Sequence, residues 1–465
     1  MDDSNPGTTP AAPETAASES ARLEEQMRLR RAKVRAARER GLDPYGGRYE
    51  VSHHARDLHD HFDTLAGQEV RVAGRLRAWR THGKASFADL QDLTGRIQLH
   101  FKTDVLGEAS YASALELDIG DVVGVVGVLF RTRRGETTVE VREWRLLAKS
   151  LRPLPDKWHG IKDVDVRYRQ RYVDLIMEED VRGTFIIRSR VVSEIRRLLD
   201  ERGFLKVETP VMTPLAGGAA ARPFVTHHNA LNMELYLRIA TELYLKRLVV
   251  GGLERVYEIG RVFRNEGIDT RHNPEFTMLE LYQAYADYTD MMAITETLIA
   301  GVAERVLGTL HVSWGGTAID LTPPWRRVSM VEALRQALGE DPLAWADDAE
   351  ARAAAARHHV EVPSGATLGQ VIDELADQLV QPGLVQPTFL LDHPVSISPL
   401  AKRKSDDPRL AYRFELMING MEMANAFSEL NDPDDQRERF LEQLREREHG
   451  NEEAHVLDED YVRAL

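Results

Sequence analysis

One stretch, from Arg255 to Tyr282, constrains the fold more than any other part of the chain. It reads RVYEIGRVFRNEGIDTRHNPEFTMLELY. Apolar residues alternate with others along both flanks, which is typical of β-strands, and the polar segment GIDTRH between them contains a glycine suited to a turn. The stretch therefore predicts a long β-hairpin.

Charged side chains crowd this hairpin more densely than a purely structural hairpin requires. They are Arg261, Arg264, Glu266, Arg271, Glu275 and Glu280. Because an unpaired charge is costly to bury, such a set needs partners, and arginine with glutamate can hold a polyanion and a metal ion in one pocket. The alternative interpretation is a solvated hairpin with surface ion pairs.

The string FRNEGIDTRHNPEF resembles motif 2 of the class II aminoacyl-tRNA synthetases, in the form carried by the lysyl-tRNA synthetases. In that family, a long hairpin on an antiparallel sheet grips ATP. The resemblance implies an ATP-dependent ligase that converts lysine to lysyl-adenylate and transfers it to tRNA(Lys), with Mg²⁺ beside the nucleotide. It also implies an α+β fold: an N-terminal OB-fold barrel, then a class II antiparallel-sheet catalytic domain with a helical insertion.

Length, charge and cysteine content narrow the alternatives. The chain has 465 residues, enough for two to four domains. It contains no cysteine, which excludes disulfides, thiolate catalysis and cysteine-based zinc sites. No apolar run reaches the ~18 residues of a membrane span, and residues 1–20 lack an apolar signal region, so we expect a cytoplasmic protein that contacts no membrane. A net charge of -15 means that RNA must bind at local basic patches.

The N-terminal part divides by composition. Residues 1–21 are rich in small and polar residues, which predicts a disordered tail. Residues 22–62 form a predicted basic helical segment, with eight Lys/Arg against three Glu between Arg22 and Arg40. Gly41 and Pro44 are expected to end the helix. The helix either packs through one narrow apolar stripe or adds nonspecific RNA affinity through phosphate contacts.

Residues 63–150 contain five short β-rich segments separated by glycine-containing turns. They are EVRVAGRL, SFADLQD, GRIQLHF, DVVGVVGVLF and TTVEVREW. Five such segments predict a small barrel of the OB type, which often binds single-stranded nucleic acid on aromatic side chains. The string RTHGKASFADLQDLTGRIQL is similar to the anticodon-binding domain of the lysyl-tRNA synthetases. That resemblance implies that Arg80, Phe87 and Gln98 read the central uridine of the anticodon.

The second half begins after a linker. Residues 151–180 open with prolines and predict that linker, and residues 181–465 are the expected catalytic domain. The string FIIRSRVVSEIRRLLDERGFLKVETPV predicts an amphipathic helix followed by a strand. It resembles motif 1, which builds the dimer interface in the family, so a homodimer is expected, although an ordinary helix–strand unit explains the pattern equally well. Residues of about 290–390 predict a helical insertion without chemistry.

Activation of lysine brings two anions together, the amino-acid carboxylate and the ATP phosphates. Catalysis then rests on positioning and charge neutralisation, for which the fork of a guanidinium is suited. The resemblance assigns the catalytic role to Arg264. It places Glu266 at the adenine end of ATP, Arg271 and His272 at the outer phosphates, and Phe276 against the adenine ring.

The resemblance also implies a lysine site and a magnesium site. The lysine-binding residues would be Gly218, Glu242, Glu280, Tyr282, Asn425 and Glu429. In this arrangement Glu429 meets the ε-ammonium with support from Tyr282, Glu242 and Glu280 face the α-amino group, and Asn425 contacts the carboxylate end. Magnesium would be held by Glu415 and Glu422, whose hard oxygens suit it.

Two other interpretations follow from the same strings. A class II ligase for aspartate or asparagine would need cations where these glutamates stand. The sequence also contains no segment like GLGIGIDRL, the glycine-rich motif 3 with which family members continue. A tRNA-binding relative impaired in adenylate formation is therefore the second expectation.

Overall fold

The computed structural model describes residues 16–155, 163–269, 272–448 and 456–465. Most of the predicted N-terminal tail, and Arg271 in the hairpin, lie outside the described residues. The chain divides into two compact units, Met1–Arg182 and Gly183–Leu465. Within the described ranges, no helix is both long enough and apolar enough to cross a membrane.

The first unit is a β-barrel with short helices around it. Its strands are β1 (Glu69–His82), β2 (Ala85–Gln91), β3 (Arg96–Lys102), β4 (Val122–Arg131) and β5 (Thr137–Ala148). Its helices are α1 (Ala16–Glu39), α2 (Ala55–Asp60), α3 (Phe62–Leu65), α4 (Thr103–Leu106), α5 (Glu108–Ala114), α6 (Val164–Arg169) and α7 (Arg171–Met177). Part of the predicted linker is thus helical, because Asp163 caps α6 by accepting from the backbone N–H groups of Asp165 and Val166.

The barrel closes in the order β1-β2-β3-β5-β4. Every second side chain of β2 and β3 points inward, so Ala88, Leu90, Ile97 and Leu99 are buried in one core while their neighbours face outward. This is the period-two pattern that the sequence carries. The expected OB-fold barrel is therefore confirmed, and its outer face is free to carry polar and aromatic residues.

The basic N-terminal helix α1 turns part of its charge toward the barrel. Arg30 donates to the carbonyl oxygen of Ser150 at 2.9 Å, and Lys33 forms an ion pair with Asp118 at 2.8 Å. Val34 is buried. These contacts favour the packing interpretation of the helix for these residues.

The second unit combines several small sheets with helices. Its strands are β6 (Leu205–Lys206), β7 (Met212–Thr213), β8 (Val225–His228), β9 (Met233–Leu237), β10 (Arg255–Phe263), β11 (Glu275–Gln283), β12 (His311–Trp314), β13 (Thr317–Asp320), β14 (Arg326–Ser329), β15 (Thr388–Leu391), β16 (Arg413–Ile418) and β17 (Met421–Phe427). Its helices are α8 (Glu179–Glu201, which begins in the first unit), α9 (Glu242–Val250), α10 (Tyr288–Leu307), α11 (Met330–Leu338), α12 (Asp348–Arg357), α13 (Leu368–Leu379), α14 (Pro433–Glu448) and α15 (Glu459–Ala464).

Two sheets position the candidate site. The first has the order β11-β10-β6, and β10 pairs antiparallel with β11 from Arg255 opposite Gln283 to Phe263 opposite Glu275. This confirms the predicted hairpin. The second sheet has the order β14-β15-β16-β17 and places Glu415 of β16 opposite Asn425 of β17.

The predicted amphipathic helix is α8, and its apolar residues differ in how far they are buried. Leu199 is buried against Phe204 and Tyr257, whereas Phe185 and Ile187 are exposed. The strand predicted after it is only two residues long, β6. The predicted helix and the predicted strand are both present, but the strand is shorter than the sequence pattern predicts.

The segment of about 290–390 is not purely helical, which differs from the expectation. It contains the ribbon β12–β13, and β14 pairs in parallel with β15. Helix α13 buries Val371, Ile372 and Leu375 in the same core as Leu390 and Met417 of the second sheet. The segment is therefore packed against the sheet that carries Glu415, because its apolar helix faces need that surface.

Candidate active site

A cavity of about 1930 Å³ opens in the second unit. One end is lined by polar and charged residues of α9, β11 and β17, and the other by apolar residues of α8 and α10. The predicted site residues that line it are Gly218, Glu242, Arg264, Phe276, Glu280, Tyr282, Glu422, Asn425 and Glu429. The fold thus collects in one place residues that lie up to 211 positions apart in the sequence (429 minus 218).

Three glutamates converge at the charged end. Glu242 lies in the first turn of α9, Glu280 lies on β11, and Glu429 follows β17. The backbone N–H of Thr241 donates to Glu280 Oε1 at 2.9 Å, and the hydroxyl of Tyr282 donates to Glu280 Oε2 at 3.1 Å. Glu280 is therefore held in place by two donors.

Gly218 fits closely behind Glu242. Its φ of +88° lies in the region that favours glycine, and a Cβ there would stand 3.1 Å from the Cβ of Glu242 and 3.2 Å from that of Ala240. The glycine lets its loop approach α9, the helix that carries Glu242, more closely than a residue with a side chain would allow.

Sequence reasoning missed Lys246, which stands among these acids. Its side chain is buried, Nζ donates to Glu242 Oε1 at 2.6 Å, and it forms a direct ion pair with Glu429. The rings of Tyr282 and Phe427 lie 5.8 Å and 5.1 Å from Nζ. The i,i+4 spacing of Glu242 and Lys246 on a helix was the available signal.

Burial disfavours the ionised form of two of these carboxyls, Glu280 and Glu429. Burial, followed by the charge of Glu242, raises the pKa of Glu280 to about 7. Burial likewise raises the pKa of Glu429 to about 7, although the ammonium of Lys246 opposes the rise. Carboxyls that lose hydration in this way gain by binding a cation. The charged end is therefore suited to ammonium groups.

Arg264 stands where the hairpin leaves β10. Its backbone N–H donates to the carbonyl oxygen of Pro274 at 2.9 Å, and its guanidinium carbon lies 5.2 Å from the centre of the Phe276 ring. Its Nε is buried and has no hydrogen-bond partner among the described residues. An unpaired buried guanidinium donor is costly and suits an anionic ligand.

A buried ion pair supports the hairpin from behind. Arg238 NH1 lies 2.7 Å from Glu258 Oε1, and both side chains are about 5% exposed. Arg238 Nε donates to the carbonyl oxygen of Arg261 at 2.8 Å, and Glu258 Oε2 accepts from the backbone N–H and hydroxyl of Thr209. This network fixes β10 and hence the position at which Arg264 begins the loop.

Two predicted ATP-binding residues are not brought into the cavity. Glu266 and His272 are exposed on the hairpin loop and do not line it. His272 bonds instead to Asp269 through Nδ1 at 2.7 Å. Both residues lie beyond the paired part of β10 and β11, where their side chains are exposed to solvent.

The two predicted metal ligands lie on neighbouring strands. Glu415 Oε1 accepts from Arg413 at 2.6 Å, and Glu422 lines the cavity. Loss of hydration, then the charge of Glu415, raises the pKa of Glu422 to about 7. Burial, then Glu415, raises the pKa of Asp373 to about 6. Sequence reasoning missed Asp373, because α13 reaches the site only through tertiary packing.

These carboxylates fit a divalent cation by chemistry, since hard oxygen donors with excess negative charge are what Mg²⁺ prefers. Within the described ranges, no group of three or more His, Cys, Asp or Glu residues is arranged to hold a metal ion.

The three predicted anticodon residues share the outer face of the barrel. Arg80 stands opposite Phe87, and Gln98 stands opposite Asp89. Arg80 pairs with Asp89 at 2.8 Å, and the side-chain oxygen of Gln98 accepts from Thr138 at 2.9 Å.

A fourth residue on this face was missed. The ring of Phe87 is stacked on His100 with a centroid distance of 4.2 Å and an interplanar angle of 6°. His100 could have been found from its position two residues after Gln98 on the same strand face.

The barrel and the sheet-lined cavity define a class of protein. A family model described as tRNA synthetases class II (D, K and N) matches residues 163–465. A second model, an OB-fold nucleic acid binding domain, matches residues 70–147. The chain belongs to the class II tRNA synthetases of this group.

Individual relatives narrow the group further. A lysine–tRNA ligase from Carboxydothermus hydrogenoformans is 57% identical over 443 residues, which cover 95% of this chain and 91% of the relative. One from Moorella thermoacetica is 58% identical over 441 residues, covering 94% and 90%. One from Thermoanaerobacter is 55% identical over 444 residues, covering 95% and 89%. Within its class, the chain belongs to the lysine–tRNA ligase family.

Proposed function

We propose that this protein is a lysine–tRNA ligase that activates lysine with ATP and transfers the lysyl group to tRNA(Lys). The observation that carries the proposal is the convergence of Glu242, Glu280 and Glu429 at one end of the cavity that also contains Arg264. An excess of buried carboxylates selects a substrate with more than one ammonium group, and aspartate or asparagine has only one. The identity to lysine–tRNA ligases supports the same substrate.

At the lysine end, Glu429 and Tyr282 bind the ε-ammonium, and Glu280 binds the α-ammonium. Gly218 supplies the close backbone, and Asn425 orients the carboxylate. Since the acids would remain buried and unpaired with an uncharged analogue, discrimination against such analogues is strong.

At the nucleotide end, Arg264 bridges the lysine carboxylate and the α-phosphate. A carboxylate oxygen attacks the α-phosphorus, the bond from that phosphorus to the bridging oxygen breaks, and pyrophosphate leaves. The guanidinium neutralises charge in the transition state and holds the reactants in line. Phe276 stacks on the adenine. Glu266, Arg271 and His272 complete the proposed ATP contacts, and for Glu266 and His272 this requires that the hairpin loop folds toward the cavity.

Glu415 and Glu422 would hold Mg²⁺, with Arg413 and Asp373 adjusting the charge around them. The ion supplies neutralisation of the phosphate oxygens. Burial, then the charge of Glu415, raises the pKa of Glu422 to about 7, and a bound cation would offset both effects.

The barrel binds the anticodon of tRNA(Lys) through Arg80, Phe87 and Gln98. Stacking on Phe87 and hydrogen bonds from the amide of Gln98 suit a uracil. The resemblance of α8 and the strand after it to motif 1 supports a homodimer. The lack of cysteine fits a reducing compartment, and the proposed location is the cytoplasm.

Exchange of labelled pyrophosphate into ATP tests the proposal. We expect exchange with lysine and none with aspartate or asparagine, and we expect Arg264→Ala to abolish it. Arg261→Ala is the matched control, because Arg261 lies on the same hairpin in an exposed ion pair with Glu275. Exchange driven by aspartate or asparagine, or an active Arg264→Ala variant, would overturn the assignment.

A further inference from the structure

The charged end of the cavity contains an ammonium group that belongs to the protein. Lys246 is 6% exposed and reaches Glu242 by hydrogen bond and Glu429 by ion pair. Tyr461 completes, with Tyr282 and Phe427, a set of three rings within about 6 Å of Nζ, which stabilise a cation by their π-faces. The ammonium is therefore fixed rather than mobile.

The charges at this end can be counted. Three carboxyls, Glu242, Glu280 and Glu429, stand against one ammonium, Lys246, which leaves two carboxyls in surplus. Free lysine carries two ammonium groups. The surplus therefore equals the positive charge that the substrate brings to this end, provided that its carboxylate is neutralised elsewhere.

We propose that Lys246 is a positioning and specificity residue for the lysine reaction, a resident cation that neutralises Glu242 and sets the remaining charge of the pocket to match the two ammonium groups of lysine. This inference rests on the proposed function. Lys246 acts through Glu242 and Glu429 and does not itself touch the reacting atoms.

Glu429 shows how the resident cation and the substrate share one acid. Its Oε2 is buried and lies in direct ion-pair contact with Lys246 Nζ. A carboxylate has two oxygens and about four acceptor sites, so one ammonium does not use all of them. Glu429 thus remains able to accept from the ε-ammonium while Lys246 favours its ionised form.

Protonation follows from this arrangement. The ionisable groups that face the acids from every packed element are Glu242 and Lys246 of α9, Glu280 and Tyr282 of β11, Glu429 after β17, and Tyr461 of α15. Burial lowers the pKa of the Lys246 ammonium, but Glu242 and Glu429 raise it by more, so Lys246 stays charged. Without that charge, the three acids would hold protons more tightly, and lysine would have to displace them.

Calorimetric titration of lysine into the wild type, Lys246→Met and Lys246→Arg tests this, over a range from pH 6 to pH 9. The midpoint is the pH at which the affinity for lysine reaches half of its value at high pH. If Lys246→Met raises this midpoint by one pH unit, lysine binds about tenfold more weakly at pH 7. We expect that loss, with affinity regained at pH 9, and we expect Lys246→Arg to restore most of the binding at pH 7.

A matched control is Lys149→Met in the barrel. Lys149 is also buried and pairs with two acids, Asp118 and Asp121. Its loss should lower stability while leaving the pH profile of lysine binding unchanged, so a general effect of a broken buried pair is separated from the specific one.

Failure of the proposed function and failure of the role of Lys246 give different results. If the wild type binds no lysine at any pH, the proposed function fails. If the wild type binds lysine and Lys246→Met has the same affinity and pH profile, the role of Lys246 is overturned while the proposed function stands.

A second measurement uses only the wild-type protein and therefore does not depend on whether a variant folds. Repeating the wild-type titration at pH 6 in buffers of different ionisation enthalpy counts the protons released. A surplus of two acids predicts about two protons, and a release near zero would contradict the charge count.

Discussion

At the residue scale, the site depends on side chains whose ordinary state is disturbed by their surroundings. Glu280 and Glu429 lose hydration and keep protons up to about pH 7. Arg264 carries a buried donor without a partner among the described residues. In the proposed function, an amino acid with two ammonium groups would pair with these acids, and the phosphates of a nucleotide would pair with Arg264.

The two acids predict how stability changes with pH. Their folded pKa values lie above the ordinary 4.5, so the folded state binds more protons and their contribution to stability falls as pH rises from about 4.5 to about 7. Lysine compensates the ionised acids but competes with their protons. We expect lysine to raise the melting temperature more at pH 8 than at pH 6, relative to ligand-free protein at each pH. An equal rise at both would contradict the pKa directions.

At the element scale, one loop, one helix and one hairpin must approach closely. The loop that contains Gly218 touches α9 behind Glu242, and the hairpin β10–β11 rests on the pair Arg238–Glu258. Each contact fixes the place of a side chain that lines the cavity, Glu242 in one case and Arg264 in the other.

Gly218→Ala tests the loop contact. The added Cβ would press on Glu242 in a backbone conformation that costs a non-glycine residue about 1–2 kcal/mol. A displaced Glu242 should weaken lysine binding on the order of tenfold to a hundredfold, measured by calorimetry. Gly252→Ala is the control, since its φ of +99° carries the same strain with nothing within 4 Å. Equal lysine affinity in the two variants would show that the close approach has no role.

Glu258→Ala tests the support of the hairpin. Removing one partner of a buried pair leaves Arg238 uncompensated, which should lower the free energy of unfolding by about 3–5 kcal/mol. The exposed pair Arg261–Glu275 on the same hairpin gives the comparison, because Glu275→Ala should cost about 0–1 kcal/mol. Urea unfolding of both variants measures the difference. Similar losses would mean that the buried pair is not the support.

At the scale of the whole molecule, the chain separates two kinds of recognition into two units. The barrel carries the anticodon face, and the second unit carries the cavity. The period-two pattern of β2 and β3 could be interpreted from sequence because each of these strands has one buried face. Glu280 and Tyr282 came from the family resemblance, and their spacing of two residues puts them on the same face of β11.

What could not be predicted depended on contacts between distant elements. Lys246 became part of the site only when α9 met the segment after β17, and Asp373 only when α13 packed on the second sheet. The exposure of Glu266 and His272 reflects a loop tip with no packing partner, and no local pattern marks that. The resemblance supplied the remaining site residues by position, without their partners.

Phe87→Ala tests the division of labour. Loss of one stacking ring should weaken binding of a tRNA(Lys) anticodon stem-loop by about 1–3 kcal/mol, measured by fluorescence titration. Lysine-dependent exchange should stay at the wild-type rate, since Phe87 lies in the first unit. A stem-loop with a changed central base is the control, and it should bind both proteins equally weakly. Undiminished binding by Phe87→Ala would contradict the assignment of this face.

The acid-lined end of the cavity is tested most directly by titrating lysine and norleucine into the protein at pH 8 in a calorimeter. Norleucine lacks the ε-ammonium, so it cannot make the proposed contact with Glu429, and the surplus carboxyl charge at this end stays uncompensated. The account predicts that lysine binds on the order of 10⁴-fold more tightly than norleucine, as expected where buried polar groups are left unpaired. Binding of norleucine within about tenfold of lysine, a gap of only about 1.4 kcal/mol, would contradict it.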